Sequence, residues 1–280
     1  MLHIVTDGAA DMPPEWAEKY GIHTIPINIQ FGEETYLQFI DLDFDSFYEK
    51  VAEANMVPKT AQPSPHQFVE FYKNVAQEGD TILSIHVTSK LSGTYASAVI
   101  AAEELKDQYN IITVDSAGGS LGMGFMCREA RKMIDAGKSV DDVLAYIDRI
   151  KSDVQVILTL DTLEYARMSG RVGALSAALA SVLNVKPIAV LDDGVIEMIG
   201  KVRTRKAALK RVVEMAKERY GDRPMYLGIL HARDPQAAEK LLADTEGAFN
   251  AKDTVTTDLS LSLATNFGPG TIGIVLYPAE

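Results

Sequence analysis

The stretch TILSIHVTSKLSGTYASAVIAA, Thr81 to Ala102, constrains the fold more than any other part of the chain. Ile82 to Val87 is an apolar, β-branched run that suits a buried strand, and Ala96, Ala98, Val99, Ala101 and Ala102 then follow a small-residue helical pattern. Between them lie Thr88, Ser89, Ser92, Gly93 and Thr94, a polar turn. Strand, hydroxyl-rich turn and helix in that order put the helix start, with its unpaired N–H groups and positive dipole end, directly after a strand. Two readings stay open at this point. Ser92 serves as N-cap of its own helix, or Ser92 and the Gly93 backbone, which a ligand can approach closely, hold a carboxylate or phosphate.

The rest of the first half repeats the alternation. Leu2 to Thr6 reads as a strand, and Asp11 as the N-cap of a short helix containing Trp16 and Tyr20. Ile22 to Ile29 reads as a second strand, residues 31–36 as a hairpin or edge excursion, and Asp45 to Ala54 as an amphipathic helix. In MVPKTAQPSPHQF, Pro58, Pro63 and Pro65 stiffen the backbone and present Thr60, Gln62 and Ser64 in fixed order. Ser64 and Gln67 form a capping-box pattern, whereas Thr60 has no capping duty and is either a ligand contact or part of a plain turn. Ile111 to Val114 is a further strand. The glycines from Gly118 to Gly124 after it do not fit G-x-G-x-x-G, so close helix packing, or packing beside a lipid chain, is expected there instead of dinucleotide binding. Ser139 to Ile150 is a helix with Asp142 at N3. Strands alternating with helices predict a parallel, doubly wound sheet.

The composition shifts after Lys151. Strand Val154 to Leu160 leads to a short helix, Leu163 to Ser169, stopped by Gly170, and Arg171 stands between Gly170 and Gly173. Ala174 to Leu183 is apolar nearly all round, so it is either buried in the core or lines an apolar cavity. Asp192-Asp193-Gly194 marks a hairpin. Lys201, Arg203, Arg205, Lys206, Lys210 and Arg211 then crowd together, either solvating a helix face or forming a docking surface for an acidic partner. Strands at Met225–His231, Thr254–Leu259 and Thr271–Leu276, a helix from Pro235 to Ala243, and a polar turn from Thr265 to Gly270 complete the chain.

Several function classes drop out. A net charge of −12 argues against nucleic acid or an anionic membrane as the main partner. There is no apolar run near eighteen residues and the start, MLHIVTDGAAD, lacks a leader pattern, so a cytoplasmic protein without stable membrane insertion is expected. One cysteine, Cys127, permits no internal disulfide and reads as a small buried hydrophobe; no metal site is expected. No G-x-S-x-G elbow occurs, and none of His3, His23, His66, His86 and His231 lies in a polar turn of the seven blocks quoted below. A hydrolase or transferase using Ser92 as nucleophile therefore remains the competing reading, and His86 reads as a core residue.

Seven blocks, taken in order, carry a resemblance: TDGAAD (6–11), KTAQPSP (59–65), SKLSGTYASA (89–98), DTLEYARMSGRVG (161–173), NVKPI (184–188), GKVRTRKAAL (200–209) and NFGPGTIGI (266–274). Together they resemble the DegV family over nearly the whole chain. The resemblance implies an α/β fold of two domains, here 1–152 with a mainly parallel sheet flanked by helices and 153–280 with a mixed sheet, and a long-chain fatty acid bound between them. It implies that Thr60, Ser92 and the Gly93 backbone hold the carboxyl group, with Asn266 within reach of an oxygen, while the acyl chain runs into the second domain. It further implies no cofactor and no catalysis by this chain. A separate ATP-dependent kinase subunit, similar to dihydroxyacetone kinases, phosphorylates the bound carboxylate, and Arg171 and Arg203 face that partner. Three positions depart from the family pattern: Gly8 and Ala61 stand where Ser is usual or frequent, and Asn266 where His is usual. Asn donates a hydrogen bond but never ionises, which bears on handing the ligand to the kinase.

Overall fold

A computed structural model describes residues 1–170 and 185–279 of the chain. Arg171, the segment from Ala174 to Leu183 and Asn184 lie outside the described residues. Strands β1 (Leu2–Asp7), β2 (Ile22–Ile25), β6 (Thr81–His86) and β7 (Asn110–Asp115) form a fully parallel sheet in the order β2-β1-β6-β7. This is the sheet the alternating apolar strands and helices predict. The expected continuous strand from Ile22 to Ile29 is broken. Pro26 has no N–H to give a ladder, so β2 stops at Ile25 and the chain leaves the parallel sheet. It resumes as β3 (Asn28–Phe31), which pairs antiparallel with β4 (Glu34–Leu37) and β5 (Lys59–Ala61) in a small separate sheet.

The second large sheet has the order β10-β9-β8-β13-β11-β12, built from β8 (Gln155–Thr159), β9 (Lys186–Asp192), β10 (Val195–Val202), β11 (Pro224–His231), β12 (Asn250–Asp258) and β13 (Ile272–Pro278). It is mixed: β11 and β12 run parallel, and its other neighbouring pairs antiparallel. The β9–β10 turn at Asp193-Gly194 has both residues at positive φ, as an Asp-Gly hairpin requires.

The helices start where local chemistry dictates, with two shifts. Helix α1 (Pro14–Tyr20) is preceded by Pro13 and not by Asp11, which is spent on tertiary bonds described below. Helices α2 (Phe44–Ala54), α3 (Pro65–Val75) and α6 (Val140–Asp153) carry complete capping boxes, Asp43 with Ser46, Ser64 with Gln67 and Ser139 with Asp142. Helices α4 (Thr94–Glu104), α5 (Ser120–Asp135), α7 (Glu164–Ser169), α8 (Arg205–Tyr220) and α9 (Pro235–Thr245) follow. The last, α10 (Leu261–Phe267), takes up the first half of the polar turn expected at 265–270, so Asn266 is helical and the turn shrinks to Gly268-Pro269-Gly270.

Helix α5 lies between the two large sheets and touches β1, β6, β8 and β13. Every residue from Ser120 to Ala130 is buried. The largest apolar cluster contains Ile4 and Leu83 of the first sheet, Phe125 and Met126 of α5, and Val156, Leu158 and Val275 of the second, so both sheets share one core. The glycines serve this packing: a Cβ on Gly124 would stand 2.8 Å from Met12 Cγ and 3.1 Å from the Asp11 carbonyl oxygen. Arg128 is buried on the same helix. It donates to Glu129, Asp253 and Tyr277 and lies over the rings of Trp16, Phe125 and Tyr226, which ties α5 to the second sheet. Cys127 is buried beside it, and burial pushes its thiol up to about 12. Among the described residues no helix is long and apolar enough to cross a membrane, and no group of His, Cys, Asp or Glu is placed to hold a metal.

Candidate functional site

The hydroxyl-rich turn after β6 folds differently in detail from the expectation. Helix α4 begins at Thr94, its N-cap is Gly93, and that cap makes no side-chain bond. Ser92 stands one residue earlier. Its Oγ accepts from the Thr94 backbone N–H at 3.2 Å and lies 2.8 Å from Thr94 Oγ1. With the Thr94 hydroxyl donating, the Ser92 proton is left for a ligand. The Gly93 N–H and the Thr60 hydroxyl have no partner among the described residues.

These groups meet at one cavity of about 150 Å³. Thr60, Ala61 and Gln62 come from β5 and its exit, Leu91, Ser92 and Gly93 from the turn before α4, and Ala9 and Val87 from the ends of β1 and β6. The opposite wall belongs to the C-terminal half: Ser262, Leu263, Asn266 and Phe267 of α10, with Ile196 of β10. Four residues singled out from sequence, Thr60, Ser92, Gly93 and Asn266, thus line one space, although they lie on three separate stretches of chain.

A network of buried bonds holds these walls. Asp7 accepts from Ala9 N at 2.9 Å, from Val87 N at 2.9 Å and from His86 Nδ1 at 3.0 Å, which fixes both loops that carry cavity residues. His86 Nε2 lies 2.7 Å from Ser84 Oγ, which lies 2.8 Å from Tyr72 OH. Asp7, His86 and Ser84 stand in the order of a hydrolytic triad, yet all three are completely buried. Both imidazole nitrogens of His86 are engaged there, so this histidine gives Ser92 no base. Asp11 accepts from Ser120 Oγ at 2.6 Å and from Ser260 N at 2.7 Å. Burial pushes its carboxyl up to about 6, against the lowering effect of those bonds.

Gln38, Gln62 and Ser262 complete the site, and only Gln62 was marked by its setting among prolines. Gln38, 2% exposed, donates to Gly8 O and accepts from Ser262 N, while Ser262 Oγ also donates to Gly8 O. A Cβ on Gly8 would lie 2.8 Å from Gln38 Nε2, which accounts for glycine at that position. Gly93 is covered by Gln62: a Cβ there would be 2.3 Å from Gln62 Oε1. The Asn266 Nδ2 donates to Ser262 O at 2.7 Å, and its Oδ1 is buried without a partner among the described residues. Nothing local in the sequence marks Gln38 or Ser262, whose meeting spans 224 positions.

The basic stretch divides into paired and unpaired cations. Arg205 is tied to Asp161, Asp234 and the Gly270 carbonyl, and Lys210 and Arg211 pair with Glu214 and Glu218. Lys201, Arg203 and Lys206 are exposed without an ion-pair partner among the described residues. Arg171 is not among the described residues.

A family model described as an uncharacterised protein of the DegV family matches residues 1–279. Protein DegV of Bacillus subtilis is 33% identical over 275 residues, 98% of each chain. Two solved structures are similar over 99% of both chains. One is a Thermotoga maritima protein, described as revealing a fatty acid binding function, at TM-score 0.88 and 27% identity. The other is a Thermus thermophilus protein of the DegV family, described for its fatty acid binding, at TM-score 0.89 and 28% identity.

Proposed function

The chain belongs to the DegV family, and on that premise we propose that it binds a long-chain fatty acid between its two lobes, 1–152 and 153–280, and presents the carboxylate to a separate kinase subunit. The observation that carries the reading is the meeting of Thr60, Ser92, Gly93 and Asn266 on one cavity closed from the other side by Ile196, Leu263 and Phe267. In this reading the Thr60 and Ser92 hydroxyls and the Gly93 N–H donate to the head, with Asn266 reaching it from the opposite wall. Two solved relatives described as fatty-acid binders add support.

A cavity of this size elsewhere admits benzene, so the described walls have room for the head and roughly the first three carbons after it. The remaining tail is assigned to the second lobe. About fourteen buried methylenes at ~0.8 kcal/mol each give roughly 11 kcal/mol, of the size lost on association, and each hydrogen bond to a charged head adds about 1.5–3 kcal/mol. The tail makes binding possible and the head sets its direction.

The chemistry in this reading belongs to a cytoplasmic ATP-dependent partner resembling dihydroxyacetone kinases, and this chain is a non-catalytic carrier. Arg171 and Arg203 are the partner-facing residues, and Arg203 has no ion-pair partner of its own among the described residues. Replacing both by alanine should leave the lipid bound while abolishing acyl-phosphate formation with ATP and the kinase subunit. Unchanged turnover by the doubly substituted protein contradicts the assignment of that surface.

A further inference from the structure

Among the described residues, the cavity wall is notable for what its side chains lack. Its polar members are Thr60, Gln62, Ser92, Ser262 and Asn266, and not one lining residue is ionisable. Behind the wall stand two buried carboxyl groups: Asp7, which holds the Ala9 and Val87 backbones, and Asp11, which holds Ser260. The cation adjacent in sequence, Lys90, is drawn to the hairpin tip, where it bonds the Asp193 carbonyl at 2.7 Å and its carboxylate at 2.6 Å. The protein as a whole carries −12.

An ionised head in this place meets neutral donors and the start of α4, and pays for its lost hydration without a counter-ion. An uncharged head of the same shape keeps most of the hydrogen bonds and loses far less hydration. The side-chain oxygens of Thr60, Gln62 and Ser92 on the wall can also accept from a head that carries its own N–H or O–H, which a carboxylate does not. We infer that this cavity does not select for negative charge and accepts long-chain amphiphiles with an uncharged polar head, primary amides and alcohols, alongside the acid. The inference rests on the fatty-acid reading of the same cavity.

The test is competition for the delipidated protein between hexadecanoic acid and hexadecanamide, each below its aggregation limit, at about pH 8, where a free carboxyl group is ionised. The amide should bind within about tenfold of the acid. Preference for the acid by more than that overturns the inference and leaves fatty-acid binding standing, whereas failure of both ligands to bind overturns the underlying reading as well. Ala61→Lys places a cation on the half-buried wall of the edge strand β5. It should move the acid-to-amide ratio toward the acid by about tenfold or more. An unchanged ratio contradicts a specificity set by wall charge.

Discussion

A methyl group at position 93 would sit 2.3 Å from the Gln62 amide, so glycine there makes room for a neighbouring side chain as well as for a ligand. The sequence marks the small residue but not what fills the space. Asp11 was misjudged in the same way: a residue placed like an N-cap is in fact a buried bridge between α5 and the strand leading to α10. Its carboxyl, pushed up to about 6 from an ordinary 3.8, binds its proton more tightly in the folded than in the unfolded protein. The stability it gives is complete below the unfolded value and is lost as pH rises through about 6, a loss of roughly 3 kcal/mol for a shift of about two units. The stability difference between Asp11→Asn and the parent should therefore change by roughly 3 kcal/mol in favour of the variant between about pH 4 and pH 7.5 in denaturant titrations. A difference that is the same at both pH values contradicts an Asp11 proton held by burial.

At the scale of elements, two serines before two helices have separate duties. Ser64 accepts from Gln67 N and closes the capping box of α3, whereas Ser92 lies outside the cap of α4 and faces the cavity. Ser64→Ala should lower stability by about 1 kcal/mol and leave lipid retention unchanged. Ser92→Ala should lower lipid retention and also lower stability by about 1 kcal/mol, since the buried Thr94 N–H loses the bond that Ser92 Oγ accepts. Equal effects of the two changes on retention would contradict this division. The capping boxes of α3 and α6 and the Asp-Gly hairpin were legible in sequence because each is decided within four residues. The break at Pro26 was legible too, but the alternation of apolar residues from Ile22 to Ile29 was given more weight than the missing N–H. The helical placement of Asn266 was obscured by the glycines that follow it, which end α10 at Phe267 and do not prevent it.

For the whole molecule, the order of strands and helices was readable because β-branched runs and small-residue helices alternate, a pattern that predicts the parallel first sheet, whereas the mixed second sheet was expected only from the family resemblance. The sharing of one core by both sheets was not readable. It depends on eleven consecutive buried residues of α5, including Arg128, whose charge marks it in sequence as a surface residue. Arg128 is buried because Glu129 and Phe125 of its own helix, together with Asp253, Tyr277, Trp16 and Tyr226 from distant parts of the chain, surround it. The same long-range logic hid Gln38 and Ser262, while Thr60, Ser92 and Gly93 stand in polar turns visible one at a time and Asn266 was singled out only through the family resemblance. In the proposed function, the space these residues enclose is filled by a hydrocarbon chain with its polar head. Protein purified from cells and extracted with organic solvent should release a long-chain fatty acid or a similar long-chain amphiphile in near-equimolar amount by mass spectrometry; an extract free of such lipid from correctly folded protein would contradict it.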